Sequence, residues 1–239
     1  MRISVLVPVH NGELYLKRCL DELLQALSPL EHPWEIIVCE NGSTDGTKQL
    51  AETLKEKYPS VRFVFADIPL GRGGALRQGV EQAKGDVLAY VDQDMATDVS
   101  YLVDLINAAA NGSGIVTGSR YLPGSRARRT FSRFAMSKIY NTAVRTIFRS
   151  DVKDHQCGFK AFKRAALVSV LPTVKANHWF WDTELLVRAQ AMGLKVDEIP
   201  ISWTEMSDGS TFRLGRDFFH FVWETIVLWK DLHREGRSS

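Results

Sequence analysis

The chain has 239 residues, of which 45% are hydrophobic and 24% charged, with a formal net charge of +2, which fits a folded globular domain. Its three cysteines make neither a disulfide framework nor a close metal-ligand cluster, which favours a reducing compartment. No stretch reaches the roughly 18 apolar residues of a membrane span, and no signal peptide is recognisable, so we expect a cytoplasmic protein, soluble or peripheral to a membrane.

Short apolar runs alternate with segments of helical spacing through the first half of the chain. A helical segment follows each of the first four runs, and Ser43 is a candidate N-cap for the second helix. Alternation with short connections predicts a mostly parallel, Rossmann-like α/β sheet. The predicted strands cover residues 3–8, 34–39, 61–66, 87–91 and 115–118, and the helix before the fourth strand covers 76–83.

The second half is less regular. Met136, Tyr140, Ala143 and Ile147 keep helical spacing, and their face is expected to pack inward. A second helical pattern covers 185–192, and a late strand is predicted over 195–203. The last predicted element is a helix over about 214–233.

The predicted fourth strand ends in two carboxylates, Asp92 and Asp94, and Asp98 can cap the helix that follows. Open α/β sheets bind ligands at the carboxyl ends of their strands. Two acids there suit Mg²⁺ or Mn²⁺ and a metal-bound diphosphate. The alternative is that both acids merely solvate the strand end. An Asp-x-Asp pattern alone does not decide between the two.

Three loops follow the first, second and fourth strands, and in a parallel sheet they converge on one edge: Pro8-Val9-His10-Asn11, Glu40-Asn41-Gly42-Ser43 and Asp92-Gln93-Asp94. In these motifs the chain resembles the family-2 glycosyltransferases, whose nucleotide-sugar-binding half carries a Pro-x-x-Asn start, an acidic-Gly-Ser-Thr-Asp-Gly-Thr turn and an Asp-x-Asp. Residues 154–162 and 181–186 resemble the polyprenyl- and dolichyl-phosphate sugar synthases, and the glucosyl branch is nearest in these motifs.

The resemblance implies a GT-A-type fold and metal-dependent, inverting transfer of a hexose. The donor is a UDP- or GDP-linked sugar, and the acceptor a polyprenyl or dolichyl phosphate at the cytoplasmic face of a membrane. We expect a single domain over 1–239, with a nucleotide-sugar-binding half (1–118), an acceptor-binding half (119–212) and a C-terminal amphipathic helix (213–239).

The same resemblance implies roles for individual residues. Asp92 and Asp94 are expected to hold Mg²⁺ or Mn²⁺. The expected catalytic residues are Asp94, Arg120, Arg133, Asp154 and Asp182, and the expected acceptor-phosphate ligands are Arg120, Arg133, Lys160 and Arg213. The expected nucleotide-sugar residues are Pro8, Val9, His10, Asn11, Glu13, Glu40, Asn41, Ser43, Arg72, Asp92 and Gln93. The chain departs from the family pattern at Glu40-Asn41, where two aspartates are usual, and at Ala96, where mannosyl relatives often carry a metal-binding Gln.

Residues 119–149 contain seven arginines and one lysine but no acidic residue. Such a run is often a solvated face and sometimes a nucleic-acid patch. Here it directly follows a strand end near the proposed site. Guanidinium groups bind phosphates in a forked geometry, which favours an anionic ligand or a membrane over a merely solvated face.

The terminal helix is apolar around most of its circumference, with basic residues at its flanks. It is either a buried element or dimer contact, or an interfacial helix at a lipid surface. Two other functions remain open: a family-2 transferase with a soluble or polysaccharide acceptor, and a non-enzymatic basic protein that binds RNA or membrane. The second leaves the converging strand-end loops unexplained.

Overall fold

The structure is a computed structural model and describes residues 1–205 and 214–235. The strands in these ranges are β1 (Ile3–Val9), β2 (Trp34–Asn41), β3 (Val61–Ala66), β4 (Val87–Val91), β5 (Ile115–Ser119), β6 (Arg126–Arg128), β7 (Phe159–Lys163), β8 (Asp197–Pro200) and β9 (Ser202–Thr204). The α-helices are α1 (Leu16–Leu27), α2 (Thr47–Lys57), α3 (Gly71–Gln82), α4 (Leu102–Asn111), α5 (Phe131–Phe148), α6 (Arg164–Val170), α7 (Trp181–Ala191) and α8 (Leu214–Glu235).

The central sheet has seven strands in the order β3-β2-β1-β4-β7-β5-β8, and β6 pairs with β9 in a separate two-stranded sheet. Strands β1 to β4 are parallel, whereas β7 runs antiparallel between β4 and β5. The predicted α/β architecture is confirmed. The order 3-2-1-4 reverses between β1 and β4, and a crevice at such a reversal, beyond the carboxyl ends of the strands, is where these folds bind ligands.

Helices cover both faces of the sheet. Val5, Leu20 and Leu105 belong to the core on one face, and Leu6, Leu76 and Leu186 to the core on the other. Strands covered on both sides need apolar side chains at every position, which explains the continuous apolar runs of β1 and β4. Strand β7 was not predicted, because its Phe-Lys-Ala-Phe-Lys sequence places a fully buried lysine, Lys160, within the sheet.

Several predicted boundaries are wrong for local reasons. Helix α2 begins at Thr47, and Asp45, not Ser43, accepts a hydrogen bond from the Thr47 amide (3.0 Å). Helix α3 begins at Gly71, because the carbonyl of Asn177 accepts hydrogen bonds from the first-turn amides of Gly73 (2.7 Å) and Gly74 (3.3 Å). The amides of Gly73 and Gly74 are therefore capped by the chain itself and are not available to a phosphate. The late strand divides at Ile201 into β8 and β9, which belong to different sheets.

The inward face of α5 also differs from the prediction. Tyr140 is buried as expected, but Val144 is its buried neighbour, and Ala143 and Ile147 are exposed. The register follows from α8, whose Phe221 packs on the Tyr140 ring at a centroid distance of 5.1 Å.

Helix α8 has two different faces. Phe221, Thr225 and Leu228 are buried, whereas Trp223 and Trp229 are 63% and 41% exposed. The helix is thus core on one side and an open aromatic surface on the other. Among the described residues, no helix has the length and apolar character needed to cross a membrane.

Candidate active site

A cavity of about 1040 Å³ opens at the carboxyl ends of β1, β2 and β4. Its opposite wall is formed by α5, by residues 178–179 and by Phe221 of α8. The predicted site residues that line it are Pro8, Val9, His10, Asn11, Glu13, Asn41, Arg72, Asp92, Gln93, Asp94, Arg120 and Arg133. Those that do not line it are Glu40, Ser43, Asp154, Lys160 and Asp182. Arg213 lies outside the described residues.

The loops after β1 and β2 are tied to each other. His10 Nδ1 donates to the carbonyl of Asn41 (2.8 Å). The backbone amide of Asn11 donates to Ser43 Oγ (3.0 Å), and Asn11 Oδ1 accepts from the amide of Thr44 (2.8 Å). These bonds hold Asn11 at φ +50°, a left-handed conformation that asparagine tolerates better than most residues.

Glu40 and Ser43 support this edge from behind. Glu40 is fully buried, and its Oε1 accepts from the Ser43 amide at 2.6 Å. The expected direct contact of these two residues with a nucleotide sugar is at odds with their placement, because the Glu40 carboxylate is directed into the loop and the Ser43 hydroxyl is used by Asn11.

The two carboxylates after β4 have different surroundings. Asp92 lies 2.6 Å from Nη2 of Arg72, on the first turn of α3. Desolvation raises the pKa of Asp92 to about 6, although the Arg72 charge opposes the rise. Asp94 Oδ1 accepts from the amide of Ala96 (3.0 Å), and no described cation is within ion-pair distance of Asp94. Asp94 is thus the carboxylate in this pair whose charge is open to a ligand.

Beneath the cavity, Arg72 belongs to a buried polar network. Its Nη1 donates to Asp182 Oδ2 at 2.9 Å, and Lys160 Nζ donates to Asp182 Oδ1 at 2.7 Å. The hydroxyl of Tyr90 also donates to Asp182, and the Tyr90 ring lies under both cations. Burial raises the pKa of Asp182 and lowers that of Lys160, while the Arg72 charge favours the ionised carboxylate. With two cations around one carboxylate, we assign Asp182 as ionised.

The placement of Asp182 and Lys160 corrects the roles expected for them. Both side chains are at most 1% exposed, and Lys160 also donates to the carbonyls of His155 (3.2 Å) and Cys157. Neither can touch a ligand in the cavity without losing these partners. Asp182 pairs with Arg72, which in turn pairs with Asp92, and Lys160 pairs with Asp182.

Gly158 permits this close packing. A Cβ atom at Gly158 would lie 1.8 Å from Asp92 Oδ2 and 2.4 Å from Arg72 Nη2. Any other residue would therefore displace the ion pair between Asp92 and Arg72.

Asp154 is likewise a positioning residue and does not contact the cavity. It is fully buried and accepts three hydrogen bonds from Arg120: from Nε (2.7 Å), Nη2 (2.8 Å) and the backbone amide (3.0 Å). The Arg120 charge and these bonds hold the pKa of Asp154 below its usual value despite burial. A forked pair of this kind fixes the orientation of Arg120 at the cavity wall.

The arginines on the α5 side include one that was not singled out from the sequence. Arg133 forms an ion pair with Glu205. Arg129, between β6 and α5, also lines the cavity, with its guanidinium carbon 5.0 Å from the centroid of the Tyr121 ring and 4.9 Å from that of Phe134. The acid-free segment pointed to this region, but only packing shows which of its arginines reach the cavity.

Residues 178–179 also line the cavity and were not predicted as site residues. The ring of Trp179 lies 5.2 Å from the Arg72 guanidinium carbon and is 43% exposed, and His178 precedes it. The only sequence signal was their position just before the motif at 181–186.

The charges lining the cavity are separated. Its acids are Glu13, Asp45, Asp92 and Asp94, which all follow the strands of the first half of the chain. The wall formed by α5 and the segment before it has Arg120, Arg129 and Arg133, and no carboxylate of the described residues lines it. One side can therefore take a cation bound to an anion, and the other an anion directly.

Comparison with known proteins agrees with this geometry. The model of glycosyl transferase family 2 matches residues 4–171. Glycosyltransferase AglD of Haloferax volcanii is 41% identical over 236 residues, covering 97% of this chain, and the chain spans only 38% of that protein. Dolichyl-phosphate beta-glucosyltransferase of Dictyostelium discoideum is 34% identical over 250 residues, covering 95% of this chain and 76% of that protein.

Solved structures show the same fold. Glucosyl-3-phosphoglycerate synthase from Mycobacterium tuberculosis in complex with uridine diphosphate superposes with a TM-score of 0.71 at 19% identity, over 96% of this chain and 80% of that one. Another structure of that enzyme also holds Mn²⁺ and glucosyl-3-phosphoglycerate. At this identity the likeness shows the fold alone. From the family match, the relatives and the shared fold, it follows that the chain belongs to glycosyltransferase family 2 and is a glycosyltransferase with a GT-A-type fold.

Proposed function

We propose that the chain transfers a hexose from a nucleotide-diphosphate sugar to the phosphate of a polyprenyl or dolichyl lipid. The observation that carries this proposal is the arginine wall, on which no carboxylate of residues 1–205 or 214–235 lines the cavity. A hydroxyl acceptor needs a general base, whereas a phosphate acceptor is already an anion at neutral pH and needs cations to orient it. The names of the curated relatives, which include dolichyl-phosphate glucosyltransferases, support a lipid phosphate as acceptor and glucose as the first sugar to test.

The donor binds on the strand-end side. Pro8, Val9, His10 and Asn11 surround the base and ribose, and Asn41 completes this edge. The diphosphate lies toward Asp92 and Asp94, within the half formed by residues 1–118, and residues 119–212 form the acceptor half of the same domain.

A divalent cation fits this end of the cavity. The described residues contain no group of three or more His, Cys, Asp or Glu side chains that holds a metal alone. Mg²⁺ and Mn²⁺ need fewer protein ligands when a diphosphate shares them, because one or two carboxylates and several waters complete the coordination. Asp94, whose charge is unpaired, is the main ligand, and Asp92 assists it. The ion supplies stabilisation of the negative charge on the leaving nucleotide diphosphate.

The chain's own residues orient the reaction. Arg120, fixed by Asp154, and Arg133 hold the acceptor oxyanion in line with the anomeric carbon. A phosphate oxygen forms the bond to that carbon as its bond to the nucleotide diphosphate breaks, so the configuration inverts. No proton is removed from the acceptor, which agrees with the burial of Asp182 away from the cavity.

The lipid acceptor places the chain at a membrane. Trp223, Ile226 and Trp229 form an exposed apolar face on α8, on the same helix whose Phe221 lines the cavity. Aromatic side chains of this kind suit the boundary between water and lipid. We therefore place the chain peripherally at the cytoplasmic face of a membrane, with the cavity close to the lipid surface.

The test is a matrix of donors and acceptors with purified protein and Mn²⁺. UDP- and GDP-linked hexoses are each combined with a polyprenyl phosphate, a free monosaccharide or an oligosaccharide. We expect a lipid-linked product with only one donor class, and NMR should show the opposite anomeric configuration to the donor. Transfer to a saccharide, with none to the lipid phosphate, would support the soluble-acceptor alternative. No binding of any nucleotide sugar would contradict enzymatic function.

A further inference from the structure

Arg129 differs from the other two arginines of the cavity wall in its partners. Arg120 forms an ion pair with Asp154, and Arg133 forms one with Glu205. The Arg129 Nε and Nη2 atoms are buried but have no hydrogen-bond partner among the described residues. The guanidinium lies against the rings of Tyr121 and Phe134, which contact each other, and these contacts do not use its donors. Buried donors without acceptors cost free energy, so this arrangement is built for a ligand that accepts from both.

The second observation is an apolar groove on the outer side of α5. Its volume is about 590 Å³, and Phe131, Ala135 and Ile139 are among its lining residues. Phe131 and Ile139 are 82% and 62% exposed, so nothing in the described chain covers them. Phe134 lines this groove and also stacks on Arg129 at the cavity. The unpaired cation therefore lies where the polar cavity and the apolar groove meet.

We propose that Arg129 joins Arg120 and Arg133 in binding the phosphate of the lipid acceptor and that the groove on α5 takes the first units of its hydrocarbon chain. This inference rests on the proposed function, since it names where that acceptor lies. Nε and Nη2 form one side of the guanidinium fork, which matches two oxygens of a phosphate. A phosphate joined to a hydrocarbon needs a cation and an apolar surface in contact, and Phe134 joins the two. A free phosphate would use the cation but not the groove.

The cation is tested with Arg129→Gln, and Arg128→Gln is its matched control. Arg128 is exposed, lies in the same acid-free segment and does not line the cavity. Calorimetry with farnesyl phosphate, without donor, should show roughly ten- to hundredfold weaker binding for Arg129→Gln, the effect of a lost hydrogen bond to a charged group, and no change for Arg128→Gln. Affinity for UDP with Mn²⁺ should be the same in both. Arg129→Lys keeps the charge without the forked donor geometry, so its affinity for farnesyl phosphate should lie between those of wild type and Arg129→Gln.

The groove is tested with Ile139→Gln, and Ile147→Gln is its control on the same helix. Ile147 is 44% exposed and lies outside the groove. Ile139→Gln should weaken the binding of farnesyl phosphate by about fourfold or more, which is the effect of losing one buried methylene. The affinity for isopentenyl phosphate should not change. Ile147→Gln should change neither. All variants are compared with wild type by thermal unfolding, since the substituted side chains are exposed or half-buried.

The outcomes separate this site from the proposed function. If wild type transfers sugar to the lipid phosphate but Arg129→Gln and Arg128→Gln bind farnesyl phosphate equally, the site is wrong and the function stands. If wild type binds farnesyl phosphate through Arg129 but transfers no sugar to any lipid phosphate, the site stands and the function is wrong. Failure of wild type to bind farnesyl phosphate overturns the site.

Discussion

The substitution Asp182→Asn tests whether the buried network beneath the cavity is structural or catalytic. It keeps the size of the side chain and removes the charge that pairs with Arg72 at 2.9 Å and Lys160 at 2.7 Å, in a residue that is 1% exposed. Two buried cations then lose their shared anion. Breaking a buried ion pair by removing one partner costs about 3–5 kcal/mol of unfolding free energy. For a chain of this length, that lowers the melting temperature by roughly 6–20 °C.

The measurement is thermal and urea unfolding of Asp182→Asn beside Asp104→Asn, whose side chain is exposed on α4. The control should stay within about 0.5 kcal/mol of wild type. Adding Lys160→Met to Asp182→Asn removes one uncompensated cation. The double variant should therefore be more stable than the sum of the single effects predicts. A variant Asp182→Asn with wild-type stability, but with transfer reduced by orders of magnitude, would refute this reasoning and return Asp182 to a catalytic role.

Three further predictions concern the metal, acid stability and the membrane. Asp94→Asn should keep the fold and reduce the rate of sugar transfer by orders of magnitude. Wild-type activity that persists in excess chelator would contradict the proposed metal dependence. Burial lowers the pKa of His155 from 6.5 to about 3. The neutral imidazole therefore contributes its full share of the unfolding free energy above pH 6.5, and this share is lost as the pH falls toward 3. The unfolding free energy should fall by about 2 kcal/mol between pH 7 and pH 5, and an unchanged slope in His155→Gln would show that another group is responsible. Trp223→Glu with Trp229→Glu should reduce sedimentation with anionic vesicles at an unchanged melting temperature, and equal sedimentation would assign this face to another contact.

The strand-end side of the site could be predicted because its information is local. Strands covered by helices on both faces are continuous apolar runs, so β3 and β4 were predicted with their observed bounds. A polar residue directly after such a run must lie at the sheet edge. For that reason His10, Asn11, Asp92 and Asp94 line the cavity as the sequence indicated.

The roles of the motif residues in the second half required the structure. Lys160, Asp154 and Asp182 resemble site residues in sequence, but each is buried against a partner distant along the chain. Asp182 pairs with Arg72 at a separation of 110 residues, and Asp154 with Arg120 at 34. Whether a charged side chain faces a ligand or a buried partner depends on such pairs, which a local pattern does not contain.

The sequence by itself determined the α/β fold and the edge of the sheet at which ligands bind, because hydrophobic periodicity and strand-end polarity are properties of neighbouring residues. Only the tertiary structure decided the inward face of α5, the antiparallel insertion of β7 and the lack, within the described part of the chain, of a hydrogen-bond partner for Arg129 Nε and Nη2. Each depends on contacts that the local pattern does not contain: Phe221 on Tyr140, β7 between β4 and β5, and the rings of Tyr121 and Phe134 beside the guanidinium. Packing partners select one arrangement among several that the same local pattern allows.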